Sequence, residues 1–217
     1  MVEKHISGTA VPRNGQVKRA QILEAAHRHF SYYGFSKVTM NDIASELGMG
    51  KASLYYYFPT KEELFQAVLM ARHEDFMKAV ESRTVSITSA SKKIRTFVAM
   101  RLDFFQDVLN LNLIDFQHWQ SIRPELKLVF KKFAQHEQHL LRRIMNEGIH
   151  AGEFATGPVD RSVVALFQIM RGIRCQFLRA IDGPQVTAGE LRTLKRDMLF
   201  IADIFLRGIS TNGSGKH

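Results

Sequence analysis

Apolar residues return every third or fourth position along almost the whole chain, and no stretch keeps the period of two that a strand requires. The first stripe is Ile22, Ala26 and Phe30, in a helix expected over 17–33 and stopped by Gly34. Phe35 and Val38 follow in the connection, placed to seal a small core. Ile43, Ala44 and Leu47 then share one face of a short helix, and Leu54 and Phe58 recur four apart in another. A fourth helix starts at Lys61, with Leu64, Phe65, Val68, Leu69, Phe76 and Val80 inward. The run RTVSITSA over 83–90 loses the stripe and predicts a loop. Ile94, Phe97, Val98, Phe104, Phe105 and Val108 mark a fifth helix, and a shorter sixth is expected over 113–120. Pro124 stands where a seventh would open, carrying Leu126, Val129, Phe130, Phe133, Leu140, Leu141, Ile144 and Met145 to an end near Gly152. The last two helices, over 160–181 and 188–207, are apolar on more than one stripe. The pattern predicts an all-α protein of about nine helices, a three-helix head followed by a larger helical domain. Its divisions are a flexible arm over 1–16, the head over 17–62, the second domain over 63–210 and a disordered tail over 211–217.

The stretch TMNDIASELGMGKASLYYYFPTK, residues 39–61, organises the head. Thr39 can cap a helix while Asp42, three residues on, answers its backbone as in a capping box. Gly48 ends that helix in the left-handed region, Met49 and Gly50 turn, and the next helix follows at once. Two short helices joined this way form a helix-turn-helix. With Leu54 and Phe58 inward, the outer face of the second helix carries Lys51, Ala52, Ser53, Tyr55, Tyr56 and Tyr57 in some combination. Small residues let the backbone approach base edges, Lys51 and the hydroxyls can hydrogen-bond bases or phosphates, and each tyrosine adds an apolar plate with a polar tip. Thr60 and Glu63 are spaced as a second capping box, and Lys61 falls in the first turn of the fourth helix, where free amides and an ammonium attract phosphate.

The run RAQILEAAHRHFSYYGFSKVTMNDIASELGMGKASLYYYFPTKEEL, residues 19–64, resembles the DNA-binding domain of TetR family (TetR/AcrR type) transcriptional regulators. It carries the opening helix ending in YYGF, the T-x-x-D-I-A-x-x-L-G helix and the L-Y-Y-Y-F-x-x-K-E-E-L exit; EGIHAGEF, residues 147–154, is similar to a later helix of that family. Gly50 stands where the family often has serine. The resemblance implies base or phosphate contacts from Thr39, Lys51, Ala52, Ser53, Tyr55, Tyr56 and Lys61. It further implies a homodimer that sets two recognition helices about 34 Å apart on a near-palindromic double-stranded operator, and a repressor released by a small-molecule effector.

Composition agrees with such a partner. Among 217 residues, 45% are hydrophobic and the formal charge is +9, with an isoelectric point near 9.8. Residues 1–61 hold eight Lys and Arg against four Asp and Glu, so the head is the more basic part per residue. Cys175 stands alone, which excludes an intramolecular disulfide and fits a reducing cytoplasm. No secretory core or membrane-length apolar run occurs, so the expected place is the cytoplasm, on the bacterial nucleoid, with no membrane partner. No nucleophile elbow, Walker loop or H-E-x-x-H motif is present, and neither enzymatic activity nor a cofactor is expected. His136 and His139 have metal-ligand spacing or belong to a solvated face; Cys175 is either a reactive thiol or an inert buried one.

Charges interrupt three apolar stripes: Arg101, Glu137 and Arg174. They either meet around a cavity that takes the polar or anionic end of an apolar molecule, or form a structural salt bridge with their stems along the helices. The candidate pocket comprises these three with Phe97, Phe104, Phe105, Phe116, His118, Trp119, Met170 and Phe177. The surplus stripes of the last two helices predict a dimer interface of Val164, Phe167, Leu178, Leu194, Met198, Ile201 and Phe205. Two other classes compete: a general architectural DNA-binding protein held by charge alone, and an all-α enzyme or carrier.

Overall fold

The computed structural model describes residues 13–110, 119–180 and 186–211, with side chains placed over 15–108, 126–180 and 186–211. Eight α-helices and no strand occur among the described residues: α1 (Arg13–Tyr33), α2 (Met40–Glu46), α3 (Lys51–Tyr57), α4 (Lys61–Thr84), α5 (Ala90–Asn110), α6 (Trp119–His150), α7 (Val159–Arg179) and α8 (Ala188–Ile209). The chain divides into two compact units within α4, between Ala71 and Arg72.

Two boundaries depart from expectation. Helix begins at Arg13 rather than 17, so the end of the supposed arm is already helical; residues 1–12 lie outside the described residues. Pro124 does not open a helix either. α6 starts at Trp119 and runs through it; the short sixth helix expected over 113–120 falls, but for its last two positions, on residues outside the described ones. A proline this close to a helix start removes one intrahelical bond and leaves the long remainder intact. The tail beyond Thr211 also lies outside the described residues.

In the first unit Ile22, Ala25, Ala26 and Phe30 of α1 pack with Met40, Ile43 and Ala44 of α2, Leu54 of α3, and Leu64, Phe65, Val68 and Leu69 of α4, all buried. Three rings centre it: Phe30 meets Phe65 edge-on at 5.3 Å, and Phe35, from the connection, meets Phe65 at 4.9 Å. Such aromatic pairs contribute beyond the area they bury. α2 is too short to be stable alone. Its ends are closed locally. Asp42 N–H donates to Thr39 Oγ1 at 3.2 Å while Asp42 Oδ2 accepts Thr39 N–H at 2.8 Å, completing the box. At the other end Gly48, at φ +57°, directs its N–H to Ser45 O and lets Met49 N–H reach Ala44 O. That pair of bonds is a Schellman ending.

The second unit buries one stripe from each of its helices, among them Ile94, Phe97 and Val98 of α5, Phe133, Leu140 and Leu141 of α6, Val163 and Leu166 of α7, and Leu194, Met198 and Ala202 of α8. The start of α5 is held by a distant carboxylate. Glu153 accepts from Ala90 N–H at 2.7 Å, Ser91 N–H at 2.9 Å and Ser89 Oγ at 2.8 Å, meeting the free amides of the first turn. Burial opposes the Glu153 charge, but the bonds from Ser91, Ser89 and Ala90 outweigh it and hold the carboxyl below its ordinary range. Gly148 makes this approach possible, because a Cβ there would lie 2.3 Å from Phe154 and 2.8 Å from Ala90. Gly148→Ala is expected to cost about 1–3 kcal/mol, the usual penalty of overpacking, read as a lower urea midpoint with the unfolding slope unchanged.

Candidate nucleic-acid interface and a buried charge cluster

α3 has seven residues and only Leu54 of them is buried. Lys51, Ala52, Ser53, Tyr55 and Tyr56 are exposed and Tyr57 is half-buried, so the structure brings every expected residue of the recognition helix to its surface or rim. Tyr56 is 85% exposed. Its ring stands edge-on to Tyr57 at 5.5 Å, and Lys51 Nζ lies 5.8 Å over Tyr55. Lys18 of α1, which the sequence pattern did not single out, joins Met49, Gly50, Ala52, Ser53, Tyr56 and Tyr57 around a shallow groove. The groove therefore offers an ammonium, hydroxyls and flat rings on one surface, a combination suited to sugar-phosphate and base edges.

Thr39 and Lys61 stand differently. The Thr39 hydroxyl is engaged with Asp42, to whose Oδ2 it donates at 2.8 Å; the Thr39 N–H first, and this hydroxyl second, hold the Asp42 carboxyl below its ordinary range. Lys61 Nζ donates to Phe35 O at 2.9 Å and Val38 O at 3.1 Å, and lies 4.4 Å over the Phe35 ring. Two of its three donors are thus committed to the α1–α2 connection. The ammonium clamps the start of α4 to that connection, leaving one N–H for a phosphate. On the other side Arg28 and His29 of α1 both reach Glu46 of α2, at 2.5 and 2.6 Å.

The second unit holds a polar cluster inside an aromatic shell. Glu137 of α6 is fully buried; its Oε2 accepts from Arg101 Nε of α5 at 2.7 Å, and its Oε1 lies 3.1 Å from Nε2 of the equally buried His73 of α4. Burial acts to raise the Glu137 carboxyl, but the Arg101 charge and the bonds from His73 and Arg101 win and hold it below its ordinary range. His73 stacks on Phe133 at 3.9 Å, and its Nδ1 is buried without a hydrogen-bond partner. Arg101 lies 5.6 Å over Phe104, and Arg174 of α7 lies 5.3 Å over Phe105. Burial first, then repulsion from Arg101, brings Arg174 down to about 9 despite the pull of Glu137.

Of the expected pocket residues, Phe97, Phe104 and Met170 are buried, and Phe105 and Phe177 half-buried. The side chains of Phe116, His118 and Trp119 lie outside the described residues. His136 and His139 are both exposed, and among the described residues no three metal-ligating side chains gather. Cys175 is exposed, not buried. For the expected interface the structure requires a correction: Leu194 and Met198 are only 4% and 2% exposed, being part of the subunit's own core. The helix face one step round carries Phe200, 63% exposed, and Ile204, 50% exposed, with Val164 and Ile169 exposed on α7. Phe167, Leu178, Ile201 and Phe205 are half-buried.

A capped helix-turn-helix presenting a basic, tyrosine-rich helix, with a second all-α unit built around buried charge, defines a DNA-binding regulator of the helix-turn-helix class. Residues 22–68 match the profile of bacterial regulatory proteins of the tetR family. A transcriptional regulator from Cytophaga hutchinsonii has a crystal structure that superposes with a TM-score of 0.83 at 32% identity, over 89% of this chain and 99% of that one. The HTH-type transcriptional regulator TtgR of Pseudomonas putida is 44% identical over 59 residues, and the match spans 28% of its length. A regulator from Saccharomonospora viridis, solved in complex with choline, shares the fold at 20% identity and a TM-score of 0.65, over 87% of this chain and 96% of that one. The chain belongs to the tetR family: it is a DNA-binding transcriptional regulator and not an enzyme. No helix among the described residues is long and apolar enough to cross a membrane.

Lys61→Met keeps the stem and removes the clamp. It is expected to lower stability by about 1–3 kcal/mol, the range for hydrogen bonds from a charged donor, measured by urea unfolding.

Proposed function

We propose that the protein is a dimeric, sequence-specific repressor that leaves a near-palindromic operator when a small-molecule effector binds its second unit. The observation that carries the reading is the outward face of α3, where Lys51, Ala52, Ser53, Tyr55 and Tyr56 are exposed and contribute nothing to the core. Side chains of that chemistry, held on a helix anchored by Leu54 and by Phe58 at its end, are suited to the major groove. Thr39 caps α2 before it, and Lys61 holds the start of α4 to the α1–α2 connection. An architectural role based on charge alone would have no use for exposed tyrosines on so short a helix.

Support for a dimer comes from α7 and α8. Val164, Ile169, Phe200 and Ile204 leave large apolar side chains in water, and a second copy would cover them in the isologous manner usual for such pairs. Support for effector control comes from α4, which is common to both units and bears His73 in the buried cluster. An effector that favours one setting of that cluster biases the helix leading from the head, and only such differential affinity shifts DNA binding.

Genomic footprinting of the native protein tests the reading. A discrete, near-palindromic site bound about a thousandfold more tightly than random DNA at physiological salt is expected; equal affinity for both would overturn it. Lys51→Ala should weaken the site and relax base preference, by about 1–3 kcal/mol at the contacted position. Phe200→Glu should give monomers in sedimentation equilibrium with the helical spectrum retained, since the side chain is largely exposed in the subunit.

A further inference from the structure

Arg174, itself half-buried, follows the buried stripe of α7. It lies four residues beyond Met170, and Leu166 and Met170 are both in the core. A guanidinium at such a position is ordinarily matched by a carboxylate. Here the nearby carboxylate, Glu137, already receives Arg101 Nε and faces His73, and among the described residues Arg174 has no acidic hydrogen-bond partner. The consecutive rings Phe104 and Phe105 each carry one guanidinium, Arg101 on the first and Arg174 on the second. With the Arg101–Glu137 pair neutral in sum, Arg174 keeps a positive charge over the Phe105 ring, with half-buried Phe105, Ile173 and Phe177 as apolar residues of the same two helices.

Resting on the reading above, that the second unit takes an effector, we propose that this effector is an amphiphilic carboxylate whose head sits on Arg174, beside Arg101, with its apolar tail among the phenylalanines. The planar fork of a guanidinium fits a carboxylate through two parallel bonds, and an apolar surround strengthens them. Arg101 is the shared group. A ligand carboxylate that draws on it loosens its bond to Glu137, and Glu137 is what His73 of α4 rests against. Ligand charge is thereby felt on the helix that follows the recognition element. A cation such as choline, held by the Saccharomonospora viridis neighbour, would meet like charge here.

The test uses the full chain and three probes with one tail: decanoate, decan-1-ol and decyltrimethylammonium, titrated calorimetrically below their aggregation concentrations. Decanoate is expected to bind tightest, by about tenfold to a hundredfold over the alcohol, the factor carried by charge-assisted bonds. Arg174→Gln should remove that advantage and leave the alcohol unchanged, while Arg174→Lys keeps part of it. Equal binding of acid and alcohol, preference for the ammonium ion, failure of all three to bind, or an unaltered decanoate affinity in Arg174→Gln would each overturn the proposal. If Arg174→Gln does not fold, the three-probe comparison on the wild type and Arg174→Lys decides. Footprinting the same preparations separates the two levels. An operator footprint without preference for decanoate removes only the ligand class, and absence of any footprint removes the regulator reading beneath it.

Discussion

Helices of seven residues do not hold themselves together in water, because too few intrahelical bonds offset the cost of nucleation. α2 and α3 are both of that length, and everything the head presents to DNA depends on what grips them. The grip is partly apolar, through Ile43, Ala44 and Leu54 packed under Phe30 and Phe65. It is partly polar: the Thr39–Asp42 box, the Schellman ending at Gly48, and Lys61 reaching back to two carbonyls of the preceding connection. A lysine so engaged serves the interface by fixing its frame, and contributes less as a free charge than its place in the sequence suggests.

The second unit relies on a different constraint. A carboxylate with no exposure must keep its partners, and Glu137 recruits them from α4 and α5, tying three helices at one point. Removing one partner from such a group costs more than the intact arrangement contributes. The cluster is therefore a junction whose state depends on the distribution of charge around it. Arg174, close by and without an acidic hydrogen-bond partner among the described residues, makes that distribution uneven.

Much of this was legible in the residues. The period of the apolar stripes gave seven of the eight helices to within a few positions, and the head's core of Ile22, Phe30, Leu54 and Phe58 follows from spacing alone. The capping pair was legible because its chemistry is local, three residues apart. Arg101 and Glu137 announced themselves by interrupting apolar stripes, and the structure joins them. His73 did not, because a histidine four residues from Leu69 gives no sign whether its ring turns inward or toward solvent. The direction of the Lys61 ammonium depends on backbone carbonyls, which carry no sequence signal. On α8 the spacing pointed to Leu194, Met198, Ile201 and Phe205 for the interface; only packing shows that Leu194 and Met198 face inward while Phe200 and Ile204 face out.

One feature of α3 reaches beyond the single molecule. Because α3 is tied to the core through Leu54, with Phe58 buried at its end and Tyr57 half-buried, the neighbouring positions 51–53 and 55–56 carry little of the packing. A lineage carrying this scaffold can exchange those side chains one at a time without loosening the head, and so drift toward new target sequences while the second unit stays as it was.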